Sequence, residues 1–246
     1  GFMSLKKQRK KKGLLIFLLV VILAAAGCAG YYFYQRQQPV NTVKRFLEDV
    51  KAMDFDGMSS LLQNSDLTVL DNADITNAAY TNFFSAVNQK MDFDIKKTTF
   101  SILNGTANVT VHVKYIDGSD IYRETITEFL KQIVSTAFSG ETLTEEETQQ
   151  KLASLLEEKA SSVQDSFAET DISYPLIKAG DTWKIVSLDE NTAKMMSANF
   201  TDVQDEINTS LAEIENAENS NTAQPPQAAS GDTIDMSNEK FTIHYK

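Results

Sequence analysis

"FSILNGTANVTVHVKYI", residues 100–116, decides the fold class of this chain. Asn104-Gly105 spells a two-residue hairpin turn, because both central positions of a type I′ turn need positive φ. After it Val109, Val111, Val113 and Tyr115 alternate with Asn108, Thr110, His112 and Lys114, so one face of the strand is buried and the other wet. A two-residue turn pairs Phe100 with Val109 and Ile102 with Ala107, whereas Phe93 and Ile95 have the opposite parity. That mismatch predicts a β-bulge between Lys96 and Thr99, which bends the sheet. A second strand pair is expected in "DISYPLIKAGDTWKIVSL", residues 171–188, around an Ala-Gly-Asp turn, with Pro175 suited to an edge.

Helical spacing surrounds these strands. In residues 41–63 Val43, Phe46, Leu47, Val50 and Met53 recur at steps of three and four behind Asn41 as N-cap, and Met58, Leu61 and Leu62 resume the face after a break. Ile75, Ala79, Phe83, Ala86 and Val87 mark a third helical stretch. Residues 118–169 read as a helical pair: Ile121, Ile126, Phe129, Leu130, Ile133, Val134 and Phe138, then, behind a Thr144 capping box, Leu152, Leu155, Leu156, Val163 and Phe167. Ala193, Met196, Phe200, Val203, Ile207, Leu211 and Ile214 predict one long, regular C-terminal helix. The class is α+β: an N-terminal transmembrane helix, then helices packed on a curved antiparallel sheet, with a helical-pair insertion and a long C-terminal helix.

Charge and hydropathy divide the chain. Six of its 23 Lys and Arg residues fall in the basic segment 1–12, leaving 17 positive against 34 negative charges. A body that acidic disfavours nucleic acid as a partner. Residues 13–34 carry no charge and no proline, and about 20 such residues cross a hydrocarbon core of roughly 30 Å. Leu14, Phe17, Val21 and Leu23 anchor the segment, with Tyr31, Tyr32 and Tyr34 as an interfacial aromatic belt. The basic cluster predicts a single pass with a cytoplasmic N-terminus and the rest extracellular. Gly1 and Phe2, ahead of Met3, read as a cloning remnant.

Ala26-Gly27-Cys28 also resembles the end of a lipobox, so Cys28 is a candidate lipidation site. Ala25 stands where a lipobox usually has leucine, and the aromatic belt suits an uncleaved span better than a tether. Residues 35–41 read as a polar tether with Pro39 ahead of the next helix. The globular part is then one α+β domain over residues 40–216, followed by a disordered linker over 217–246 with a terminal strand in "KFTIHYK". A lone cysteine rules out an internal disulfide and any CxxC metal or redox site.

The stretches "TVKRFLEDVKAMDFDGMSSLL" (42–62), "NGTANVTVHVKYID" (104–117) and "AGDTWKIV" (179–186) together resemble the nuclear-transport-factor-two-like, cystatin-like α+β family. They are most similar to its small membrane-anchored or lipoprotein members of unknown function outside Gram-positive cells. The likeness covers roughly residues 40–190. It implies a curved sheet and helices enclosing a conical pocket, in which enzymatic members place Asp and His. Here His112 falls on the polar face of its strand and no Asp matches a catalytic position, which argues against the enzymatic branch.

No constellation carries recognisable chemistry. His112 has no motif that places a partner beside it, and His244 lies in the tail. Glu145, Glu146, Glu147, Glu157 and Glu158 point around a helix and read as a solvated face. "DNAD", residues 71–74, lacks the later Gly and Glu of an EF-hand. No catalytic residue, cofactor or metal is therefore expected. The sequence points to a non-catalytic, membrane-tethered extracytoplasmic domain binding an envelope protein or ligand. Its rivals are an enzyme using a cone-shaped pocket and a structural spacer. Self-association through Met196, Phe200, Val203, Ile207 and Leu211 competes with packing of that stripe on its own domain.

Overall fold

The computed structural model describes residues 2–71, 75–162 and 164–220. One helix, α1 (Phe2–Ala52), runs from the basic N-terminus through the apolar segment and into the domain without interruption. All large apolar side chains from Leu14 to Leu23 are exposed on it, and Val43, Phe46, Leu47 and Val50 near its other end are completely buried. The expected tether at residues 35–41 and the expected N-cap at Asn41 are therefore absent: both lie inside α1. Proline lacks an N–H and in a helix interior costs roughly 3 kcal/mol. Here Pro39 and Val40 are buried against the domain, and the Thr42 hydroxyl donates to the Trp183 carbonyl at 3.2 Å. Tertiary packing overrides the local penalty.

A chain reversal at Met53, with φ of 53°, ends α1. Asp54 caps the short α2 (Phe55–Ser60) by accepting from the Gly57 N–H at 2.9 Å. The short α3 (Thr68–Asp71) and α4 (Thr81–Asn88) follow. The third expected helix thus shrinks to α4, with turns around Tyr80.

Four strands form an antiparallel meander among the described residues: β1 (Asp92–Ser101), β2 (Thr106–Ile116), β3 (Phe167–Ala179) and β4 (Thr182–Ile185). The register shifts between Ile95 and Lys97, placing the bulge at Lys96 and returning Phe93, Ile95 and Phe100 to one face. The hairpin is not the two-residue turn that Asn-Gly predicts. Ser101 pairs with Thr106, which leaves residues 102–105 as a four-residue loop with Gly105 at φ of 62°. Phe100 consequently pairs with Ala107, and Ile102 leaves the sheet.

Between β2 and β3 lie α5 (Ser119–Phe138) and α6 (Glu145–Ser162), the helical pair. Thr144 caps α6 by accepting from the Glu147 N–H at 3.2 Å. Phe167 opens β3 and is not on a helix face, because α6 ends at Ser162. The C-terminal helix is also broken in two, α7 (Glu190–Met196) and α8 (Phe200–Ser220). Ala198 and Asn199 both take positive φ at the break. The Ala198 carbonyl accepts from the Gly118 N–H at 2.8 Å, and Asn199 accepts from the buried Tyr115 hydroxyl at 2.7 Å. These bonds outweigh the left-handed strain.

Aromatic rings fill the space between sheet and helices. Phe200 stacks on Tyr122 with centroids 4.2 Å apart and packs against Tyr80, Phe83 and Phe84, while Phe46 meets Tyr174. Gly118 touches this cluster: a β-carbon there comes within 3.0 Å of a Phe200 ring carbon and 3.2 Å of the Ala198 β-carbon. Gly118→Ala is expected to destabilise the domain by about 1–3 kcal/mol through overpacking, read as a lower urea midpoint at unchanged slope.

Candidate functional site

Strand alternation sorts the sheet into two faces. Val109, Val111, Val113 and Tyr115 of β2, with Ile172, Tyr174 and Leu176 of β3, turn into the core. The opposite face carries rows of polar residues across three strands. Asp94, His112 and Asp171 align in one row, and Asp92, Lys114 and Glu169 in the next. Each cation on the central strand therefore lies between two carboxylates, an arrangement that cross-strand pairing favours. A groove of about 370 Å³ runs over them, lined by Asp92, Phe93, Asp94, His112, Lys114 and Glu169.

His112 does have partners. Its Nδ1 lies 2.6 Å from an Asp171 oxygen and its Nε2 3.2 Å from a Glu169 oxygen. A neutral imidazole carries one N–H and can serve only one of these carboxylates as donor; the imidazolium serves both. The hydrogen bonds to Asp171 and then Glu169 raise its pKa above the ordinary value. With a carboxylate against each nitrogen, His112 clamps β2 to β3, and its protonated form satisfies both partners. Lys114 is held similarly, its Nζ 4.9 Å from the Phe167 ring centroid in a cation–π contact. Among the described residues, no cluster of three or more His, Cys, Asp or Glu is arranged to hold a metal ion.

The other sequence-marked residues fall as follows. Leu14, Phe17, Val21, Leu23, Tyr31, Tyr32 and Tyr34 are exposed on α1, as is Cys28. Among the described residues α1 is the one helix long and apolar enough to cross a membrane. Met196, Phe200 and Val203 are completely buried in the domain's own core, and Ile207 packs partly against it. These four side chains pack on the domain's own core. The acidic run Glu145, Glu146 and Glu147 is exposed in the first turn of α6. The side chains of Leu211 and Ile214, and Val163, Asn72, Ala73, Asp74, His244 and the terminal "KFTIHYK", lie outside the described residues. A smaller groove of about 270 Å³ lies between residues 62–69 and 186–188, lined by Leu62, Asn64, Asp66, Thr68 and Leu188 among others.

Fold and site define an α+β domain on a long N-terminal apolar helix, with an open, charged sheet face. No family model matches the chain, and no curated protein matches it. A solved structure from Bacillus subtilis, YcdA, described as a candidate lipoprotein, is similar over 61% of this chain and 45% of its own length. The identity is 20% and the TM-score 0.33, and the match spans less than half of that neighbour.

The clamp has a signed pH dependence. A histidine whose pKa is raised by folding contributes stability that is fully present below its unfolded value, near 6.5, and is lost as pH rises through the higher folded value. Urea midpoints are therefore expected to fall as pH rises above the unfolded value of 6.5 in the parent chain, with a flatter profile in His112→Gln. The imidazole signal of His112 in NMR should titrate above that of an unfolded control peptide.

Proposed function

We propose that the chain is a non-catalytic domain of the nuclear-transport-factor-two-like, cystatin-like kind. In this reading one N-terminal span holds it outside the cell membrane, where it binds a protein or ligand of the envelope. The observation that carries the reading is α1, whose first half exposes a continuous apolar surface and whose last turns are core. A surface of that extent is not stable in water, whereas lipid covers it without further machinery. The basic residues ahead of it support a cytoplasmic N-terminus.

Two features support the non-catalytic part. Rings of Tyr80, Tyr122, Tyr174, Phe84 and Phe200 fill the interior between sheet and helices, where the resemblance would put a pocket. The histidine that could act as a base lies on the outer sheet face with both nitrogens engaged. What remains accessible is a polar, largely acidic sheet face suited to recognition of a cationic or hydrogen-bonding surface.

Topology and binding are tested together in intact cells, using Cys28→Ser with a single new cysteine at exposed Glu146. A membrane-impermeant maleimide should label Glu146→Cys before lysis, and photo-crosslinking from Asp94 should capture a specific envelope component. Labelling only after lysis would reverse the topology. Full labelling with no component dependent on Asp94 and Asp171 would remove the binding role.

A further inference from the structure

The β1–β2 loop carries two apolar side chains with no cover: Leu103 is 95% exposed and Ile102 46%. A single exposed leucine is ordinary. The position of this loop is not. Arg36 on α1 donates to the Thr98 carbonyl at 3.2 Å, and the Tyr32 ring meets the Phe100 ring with centroids 5.6 Å apart. As residue number rises along β1 it falls along α1, so the strand runs back toward the apolar end of the helix.

The two elements keep pace. Four helix residues from Arg36 to Tyr32 advance about 6 Å, and two strand residues from Thr98 to Phe100 advance about 7 Å. Ser101, the last strand residue, is level with roughly residue 30, and Ile102 and Leu103 follow it in the turn at that end of the strand. That level is on the hydrocarbon side of Tyr31 and Tyr34, the aromatic belt whose exposed rings mark the interface. At the base of the loop the Lys178 N–H donates to the Gly105 carbonyl at 2.8 Å, so exposed Lys178 and, in the adjoining β3–β4 turn, exposed Asp181 stand beside it.

We infer that the β1–β2 loop is a second membrane contact, with Leu103 and Ile102 inserted into the outer acyl region of the bilayer that α1 spans. The occupant is lipid, because this apolar loop is continuous with the exposed apolar surface of α1 and stands at its depth. The inference rests on reading α1 as a membrane span. The loop adds a contact displaced from the helix axis, so the domain is held at a defined tilt and rotation.

The test uses the full chain with Cys28→Ala, reconstituted into phosphatidylcholine vesicles, and an environment-sensitive fluorophore on one new cysteine at a time. Leu103→Cys should show blue-shifted emission and quenching by phosphatidylcholine brominated high on its acyl chains, as should Leu19→Cys with deeper bromines. Asp94→Cys, at the far end of β1, should stay unquenched. Quenching at Leu19→Cys without quenching at Leu103→Cys overturns the inference and leaves the span intact. Absence of quenching at both sites overturns the span and the inference with it.

Discussion

The continuity of α1 is the constraint on which the rest of the structure depends. A helix satisfies its own backbone, which is why one can pass from a fully exposed apolar segment into a protein core without a break. The same 51-residue helix shows apolar side chains on all sides at one end and narrows to a one-sided stripe at the other. Val43, Phe46, Leu47 and Val50 then seat the sheet and the aromatic cluster around it. A flexible tether would decouple the domain from the anchor. A helix transmits the orientation of one to the other.

Much of the sheet was legible because strand alternation records which face is buried. The parity conflict between Phe93, Ile95 and Phe100 located the bulge that the register shows at Lys96. The same logic failed at the loop, where Asn104-Gly105 suggested the tightest turn. The chain uses four residues because Ile102 and Leu103 do not belong to the sheet. Pro39 was misread for the opposite reason: its local penalty is real, and burial against the domain outweighs it. The break at Ala198 and Asn199 was invisible to periodicity, since the bonds that hold it come from Gly118 and Tyr115, 80 and 84 positions earlier.

The histidine site was half legible. Alternation placed His112 on the polar face, but its partners lie 57 and 59 positions away on a strand whose first residues read as helix. Taking β3 back to Phe167 exposes the signal, because Glu169, Asp171 and Ser173 then alternate with Thr170, Ile172 and Tyr174. Pairing that pattern with Thr110, His112 and Lys114 sets acids against the two cations. The long apolar helix at the N-terminus was readable from composition alone, since length and apolarity suffice to mark one.

Charge placement completes the argument about orientation. Outside its basic N-terminal segment the chain carries 17 positive and 34 negative charges, and an anionic lipid surface repels such a body. Direction along β1 resolves the conflict. Asp94 lies six strand residues from Phe100, about 20 Å further from the apolar end of α1. That exceeds the Debye length of roughly 8–10 Å at physiological salt, so the rows of Asp92, Asp94, Glu169 and Asp171 are screened from the surface. Lys97, Lys178 and Arg36 occupy the near end, together with Asp181 in the β3–β4 turn. The bulge at Lys96 separates the two ends, and the acidic one is the end of β1 remote from the apolar segment of α1.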